Sequence, residues 1–229
     1  MGNPIRKIVI LGGYGNFGKR IVKSLCQHQS VTLVVAGRNL TKAKNACQLL
    51  AQETFHQNLV PQAIDINSNS FESILTGLSP DILIHTSGPF QNQNYQVAKA
   101  CLKANCHYID LADDRRFVCD FNQLNEQASK KNLLFVSGAS SVPGLSSTVI
   151  SHLKDDYQSI NSINIAIAPG NQAERGKATV QAILSYTGKP ISIFQNAQWQ
   201  TGYGWMSSQK VDFGDIIGKR WLANVDVPD

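Results

Sequence analysis

Acidic residues are missing from the start of this 229-residue chain: the first Asp or Glu is Glu53. Eight Lys and Arg stand before it, so residues 1–52 carry +8, while the 13 basic and 16 acidic residues that follow carry −3, which together give the net +5. A positive field confined to one segment favours an anionic partner. Runs of adjacent Lys and Arg interleaved with aromatics are lacking, which argues against nucleic acid and for a small phosphate-bearing molecule. The five cysteines, Cys26, Cys47, Cys101, Cys106 and Cys119, are an odd set without a C-x-x-C pair. That suggests neither a disulfide framework nor a zinc knuckle, and the thiols are expected to be reduced, buried and hydrophobic in character. The five histidines are scattered with no H-x-x-x-H pairing, so no metal site is expected. No apolar run approaches the roughly 18 residues of a membrane span. The N-terminal MGNPIRKIVILGG puts polar residues and glycines where a signal peptide needs an apolar stretch. A cytoplasmic protein with no membrane partner is the expectation.

What the sequence does have is alternation. Short apolar or β-branched runs stand at 5–11, 31–36, 59–65, 81–86, 107–111 and 133–138, separated by segments of helical spacing such as FGKRIVKSLCQH, TKAKNACQLLAQ, NYQVAKACLKAN and FNQLNEQASKKN. Strand and helix repeated in this way predict a doubly wound parallel sheet of the Rossmann type, an α/β fold. The rhythm is lost near residue 140. SSVPGLSSTVISHL reads as a loop entering a helix, SINSINIAIAP as a strand and ATVQAILSYTG as a helix closed by Gly188, while all three tryptophans lie beyond Pro190. The expected organisation is therefore 1–140 as a nucleotide-binding domain and 141–229 as a partial α+β region serving substrate or dimerisation. That second region is short for a self-sufficient domain, so either the chain is truncated or the region is completed by a partner such as a second copy.

The stretch ILGGYGNFGKR, residues 10–20, holds four glycines. Gly13, Gly15 and Gly18 form G-x-G-x-x-G between the first strand and its helix, with Tyr14, Asn16 and Phe17 in the gaps. The first glycine permits a tight turn, the second lets a pyrophosphate approach the backbone, and the third lets helix and strand pack closely; the helix amides then receive the anion. The competing reading is a glycine-rich turn without a ligand. An NAD-binding fold places an acid about 20 residues on to hold the ribose hydroxyls. This chain has Arg38 and Asn39 there, in AGRN. A guanidinium can grip a 2′-phosphate with paired hydrogen bonds, so NADP(H) is the predicted cofactor.

Two further stretches fall at the carboxyl edge of the predicted sheet, where open α/β folds bind ligands. In DILIHTSGPFQNQNY, the residues Ser87, Gly88, Pro89 and Phe90 suit a wall over the cofactor, or a loop shaped only to start the next helix. In HYIDLADD, Asp113 or Asp114 reads as a helix N-cap. Asp110 is the candidate for proton transfer or for orienting a substrate amine or hydroxyl. Tyr95 and Lys99 match the Y-x-x-x-K of short-chain dehydrogenases but follow the fourth strand and lack the upstream serine, so helical coincidence is the preferred reading.

Taken together and in order, GGYGNFG, AGRN, SGPF, HYIDLADD and SGASSVPGLSS resemble the saccharopine dehydrogenase-like oxidoreductases over about residues 6–150. The resemblance implies NADP(H) held by Gly13 to Gly18, Arg38 and the SGPF loop, with an α+β domain completing a cleft for a small-molecule substrate. It also implies carbon–nitrogen chemistry, an imine reduced or a secondary amine oxidised, with the substrate unassigned. The rival expectations are a non-catalytic NADP(H) sensor, dimerising through the second region, and a short-chain dehydrogenase or epimerase using Tyr95 and Lys99.

Overall fold

The computed structural model describes residues 6–170 and 172–228; Ile5, included in the first expected strand, lies outside them. Six strands build one sheet: β1 (Arg6–Leu11), β2 (Val31–Gly37), β3 (Leu59–Ala63), β4 (Ile82–His85), β5 (His107–Asp110) and β6 (Phe135–Val136). Their order is β3-β2-β1-β4-β5-β6 and every pairing is parallel. The helices that return the chain are α1 (Asn16–Leu25), α2 (Leu40–Thr54), α3 (Phe71–Leu78), α4 (Gln96–Lys103), α5 (Arg115–Cys119) and α6 (Asn125–Lys130).

Side-chain alternation along the strands divides the core. Ile8 and Ile10 of β1 join Leu33 and Val35 of β2 on one face, against Val22 and Cys26 of the α1 segment and Cys47 and Leu50 of α2. Val9 and Leu11 turn the other way, into a cluster with Leu83, Tyr108, Phe71 and Leu75 of α3, and Val97 and Cys101 of α4. Both faces of β1 and β2 are thus buried, which is why their sequences read as near-continuous apolar runs. The expected doubly wound fold is the observed one. α3, absent from the sequence reading, is only eight residues long and contains Gly77; its burial of Phe71 and Leu75 stabilises it where propensity and length would not.

Past residue 140 the elements are α7 (Ser146–Leu153), α8 (Lys177–Ser185), and two antiparallel pairs, β7 (Pro190–Gln195) with β8 (Gln198–Tyr203) and β9 (Gln209–Asp212) with β10 (Lys219–Leu222). The strand expected at 159–169 does not form. Ile163, Ile165 and Ile167 alternate as a strand would, yet remain 52%, 42% and 48% exposed. Alternation prepares a face for burial, but a strand also needs a neighbour for its backbone groups, and no described segment pairs with this one. Four of the cysteines are buried free thiols as expected, whereas Cys119, at the end of α5, is exposed.

Candidate functional site

The sheet order reverses between β1 and β4, and the loops after these strands face each other across that switch point. Thr86, next after β4, donates from both its amide (2.9 Å) and its hydroxyl (2.7 Å) to the Leu11 carbonyl at the end of β1. The glycine-rich turn is pinned at its base, where the amides of Gly12 and Gly13 share the Ala36 carbonyl of β2. Gly15 is the N-cap of α1, extended and offering no side chain, and among the described residues no side chain caps this helix. Gly18 packs against the Gly12 backbone so closely that any Cβ would overlap it. That contact brings the first turn of α1 up to the sheet edge. The first-turn amides of a helix have no intrahelical partner, and together with the helix dipole they suit an anion. The diphosphate of a dinucleotide therefore fits the segment Gly13–Gly18.

At the end of β2 the Tyr14 hydroxyl accepts the Asn39 amide at 3.0 Å. Asn39 in turn caps α2, its side chain accepting from the Lys42 amide at 2.9 Å. Arg38, between these anchors, is exposed. The nearest acid in sequence, Glu53, is engaged by Lys23 at 2.7 Å.

The loop 86–90 is held from beneath by two residues that the sequence reading did not single out. Gln93 gives both protons of its side-chain amide to carbonyls, Ser87 O at 2.9 Å and Pro89 O at 2.7 Å, and turns its Oε1 to His85 Nε2 at 3.2 Å. The Ser87 amide donates to His85 Nδ1 at 3.3 Å. Those partners define the tautomer: Nδ1 accepts, so Nε2 carries the proton. Burial drives the His85 pKa down to about 4, with the Gln93 hydrogen bond opposing. Phe90 is buried, edge-on to His85, with ring centroids 5.0 Å apart. The carbonyls of Ser87 and Pro89 are thereby occupied within the protein, while Gly88 faces the second region: a Cβ built on it would stand 3.6 Å from that of Ala178.

Asp110, the candidate catalytic residue, is wholly buried. Its Oδ1 accepts from the Ala112 amide (2.9 Å), the Gly138 amide (2.9 Å) and the Ser137 hydroxyl (3.0 Å). It therefore ties the loop after β5 to the loop after β6. Its Oδ2 and the neighbouring Tyr108 hydroxyl are both buried without a hydrogen bond of good geometry. Burial raises the Asp110 pKa, opposed chiefly by the Gly138 and Ala112 amides, and burial also holds the Tyr108 phenol well above its usual range. Asp114 is the N-cap of α5, accepting from the Phe117 amide at 2.8 Å, so the capping expectation holds. Asp113 receives the Gln91 side-chain amide at 3.3 Å, and burial raises its pKa.

Tyr95 and Lys99 form no catalytic pair. The Tyr95 ring is packed between Phe117 and Phe121, its hydroxyl donates to the Phe117 carbonyl at 2.9 Å, and burial raises its pKa. Lys99, one helical turn on, has its amide on the Tyr95 carbonyl at 2.8 Å and is exposed. A phenol serving as acid and base needs access and a lowered pKa, and this one has neither.

The second region reaches back to the glycine-rich turn. The Asn16 side-chain amide donates to Glu174 O, and Lys19 pairs with the Glu174 carboxylate, each at 2.9 Å. Arg115 meets Asp226 at 3.1 Å and lies over the Trp199 ring at 5.4 Å. Arg115 and Asp226 also line a cleft of about 410 Å³ between α5 and the β7–β8 hairpin, with Asp114, Ser192 and Thr201 among others. Among the described residues no group of three or more His, Cys, Asp and Glu stands ready for a metal, and no helix is long and apolar enough to cross a membrane.

A glycine-rich turn opening an uncapped helix at the switch point of a 3-2-1-4-5-6 parallel sheet defines a Rossmann-type dinucleotide-binding protein. Residues 8–136, more than half of the chain, match the saccharopine dehydrogenase NADP binding domain, and the chain belongs to that family. Membership indicates an NADP-binding oxidoreductase. A search of curated proteins found no match. Among solved structures, the chain is similar to menthone neomenthol reductase from Mentha piperita (18% identity, 67% of this chain and 74% of that one, TM-score 0.42). It is also similar to a short-chain dehydrogenase from Sphingobium yanoikuyae in complex with NADPH (13% identity, 58% and 70%, TM-score 0.42). Likenesses this remote say nothing about substrate.

Proposed function

We propose that this chain binds NADP(H) across the carboxyl edge of its sheet and uses it to reduce an imine or oxidise a secondary amine of a small substrate. The observation that carries the cofactor reading is the pairing of an uncapped α1 with Arg38, an exposed guanidinium at the end of β2 in a segment without acids. In this reading the backbone of Gly13–Gly18 receives the diphosphate through the amides of Tyr14, Asn16, Phe17 and Gly18, while those of Gly13 and Gly15 stay on the Ala36 and Gly12 carbonyls; Arg38 and Asn39 receive the adenosine end, and Ser87, Gly88, Pro89 and Phe90 wall the nicotinamide end. The nicotinamide, when bound, supplies the hydride chemistry. The chain's own residues bind, orient and exclude water.

Asp110 fits a clamp better than a proton donor to substrate, because its Oδ1 is already taken by three donors and the residue is closed to solvent. The cleft beside Asp114 and Arg115 is the proposed substrate side, which assigns 1–140 to the cofactor and 141–229 to the substrate and to contact with a second copy. The carbon–nitrogen specificity rests on family membership alone.

The test is a fluorescence titration with NADPH and NADH, followed by turnover on a panel of amines and imines. NADPH should bind tighter, and Arg38→Ala should remove most of the difference. Equal affinities for the two nucleotides would count against Arg38, and tight NADPH binding without turnover on any of the panel would favour a sensor.

A further inference from the structure

Tyr14 occupies an unusual place for a residue within a glycine-rich turn. Its phenol end rests on Gly37, the last residue of β2: a Cβ at position 37 would stand 2.5 Å from Tyr14 Cε1 and 2.6 Å from its hydroxyl oxygen, distances no side chain tolerates. Gly37 is therefore the residue that lets the ring cross from the β1–α1 turn to the β2–α2 turn. The hydroxyl arrives at the Asn39 amide and accepts it at 3.0 Å. Arg38 lies between the residue that supports the ring and the residue that holds the hydroxyl.

A phenol that accepts one hydrogen bond keeps its own proton to donate. Among the described residues the Asn39 contact is the only hydrogen bond of the Tyr14 hydroxyl, and none engages the Arg38 guanidinium. Two donors, one charged and one neutral, thus share one turn. The residue is half-buried, and its hydroxyl position is fixed by the Asn39 amide and the Gly37 backbone instead of by a flexible stem.

Building on the NADP(H) reading above, we propose that Tyr14 is a specificity-determining residue, its hydroxyl donating to the 2′-phosphate beside Arg38. A phosphate oxygen is a charged acceptor, for which a fixed phenolic donor is worth much more than it is for the neutral ribose hydroxyl of NADH. The geometry also explains why an aromatic residue stands in this turn: a shorter hydroxyl side chain at 14 would not span to Asn39.

Tyr14→Phe keeps the ring on Gly37 and removes only the hydroxyl, so a thermal melt should stay within a few degrees of the parent. NADPH affinity should fall about tenfold, the loss of one hydrogen bond to a charged group, while NADH affinity changes less than about twofold. Competition by 2′,5′-ADP against NADPH should weaken in parallel, which isolates the adenosine end. If the parent prefers NADPH and Tyr14→Phe keeps the full preference, Tyr14 has no part in selection. A variant that weakens NADPH and NADH equally also overturns the proposal, since the hydroxyl then serves the turn as a whole. A parent that binds neither nucleotide, or both alike, removes the NADP(H) reading itself.

Discussion

Replacing Asp110 by Ala or by Asn separates a clamp from a catalytic acid. Alanine removes the acceptor of the Ala112 and Gly138 amides, both buried, and of the Ser137 hydroxyl, which is half-buried and can turn to water. Each buried amide left without a partner costs about 1–3 kcal/mol, so Asp110→Ala should lose about 4 kcal/mol. At roughly 2–4 °C per kcal/mol for a chain of this size, that lowers Tm by about 8–16 °C. Asparagine keeps Oδ1 for all three donors and presents its amide to the buried Tyr108 oxygen, whose contact with Asp110 falls short of good hydrogen-bond geometry. It should melt within about 3 °C of the parent, bind NADPH as tightly, and turn over as fast if Asp110 touches no substrate. The pH dependence has a definite sign. The folded pKa of Asp110 is raised, so the proton it holds stabilises the fold at low pH, and that contribution is lost as pH rises from the ordinary carboxylate range through the folded value. Asp110→Asn should therefore gain on the parent as pH rises over this interval. Scanning calorimetry at several pH values provides the assay. An Asp110→Ala protein melting within about 2 °C of the parent, or an Asp110→Asn protein falling as far as the alanine variant, would refute the clamp.

Other perturbations test neighbouring parts of the account. His85 is buried neutral with a pKa of about 4, below its ordinary 6.5, so its contribution is present above about pH 6.5 and lost as pH falls toward 4. The difference corresponds to about 3 kcal/mol, and urea denaturation should show His85→Gln losing less stability than the parent over that interval. Tyr95→Phe should cost about 1 kcal/mol through the lost bond to the Phe117 carbonyl and leave turnover intact; abolished turnover with unchanged cofactor affinity would revive the short-chain dehydrogenase reading. Glu174→Gln takes a carboxylate from beside Lys19 at the head of α1 and should tighten NADPH by about twofold at low salt, an effect that fades above about 0.5 M salt.

The sheet was readable because its central strands β1 and β2 are buried on both faces and carry apolar runs that need no tertiary information to recognise. The placement of the glycine-rich turn ahead of α1 and of Arg38 at the end of β2 was readable for a similar reason: it is set by spacing along the chain. Three parts were not. α3 is short, and its stability comes from Phe71 and Leu75 reaching the sheet. The segment 159–169 has a strand's alternation, but whether a strand forms depends on a pairing edge, which alternation does not encode. His85 and Gln93 look like an ordinary strand-end histidine and one of several loop glutamines; their role exists only because the chain folds Gln93 back beneath Ser87 and Pro89. Asp110 shows the opposite failure. An acid at a strand's carboxyl end was correctly placed at the edge of the sheet, but burial, which decides its chemistry, is a property of the loops packed over it. Glu174 lies far along the chain from Lys19, and nothing local announces that they meet.

The central claim is that bare main-chain amides at the head of α1 receive a dinucleotide diphosphate while the β2–α2 turn receives its 2′-phosphate. Amide nitrogen–proton chemical shifts recorded during an NADPH titration test this directly. The largest changes should fall on Gly13 to Gly18, Arg38 and Asn39, with the changes at 38 and 39 much reduced when NADH is used. Saturating shifts elsewhere, with these amides unmoved, would contradict it.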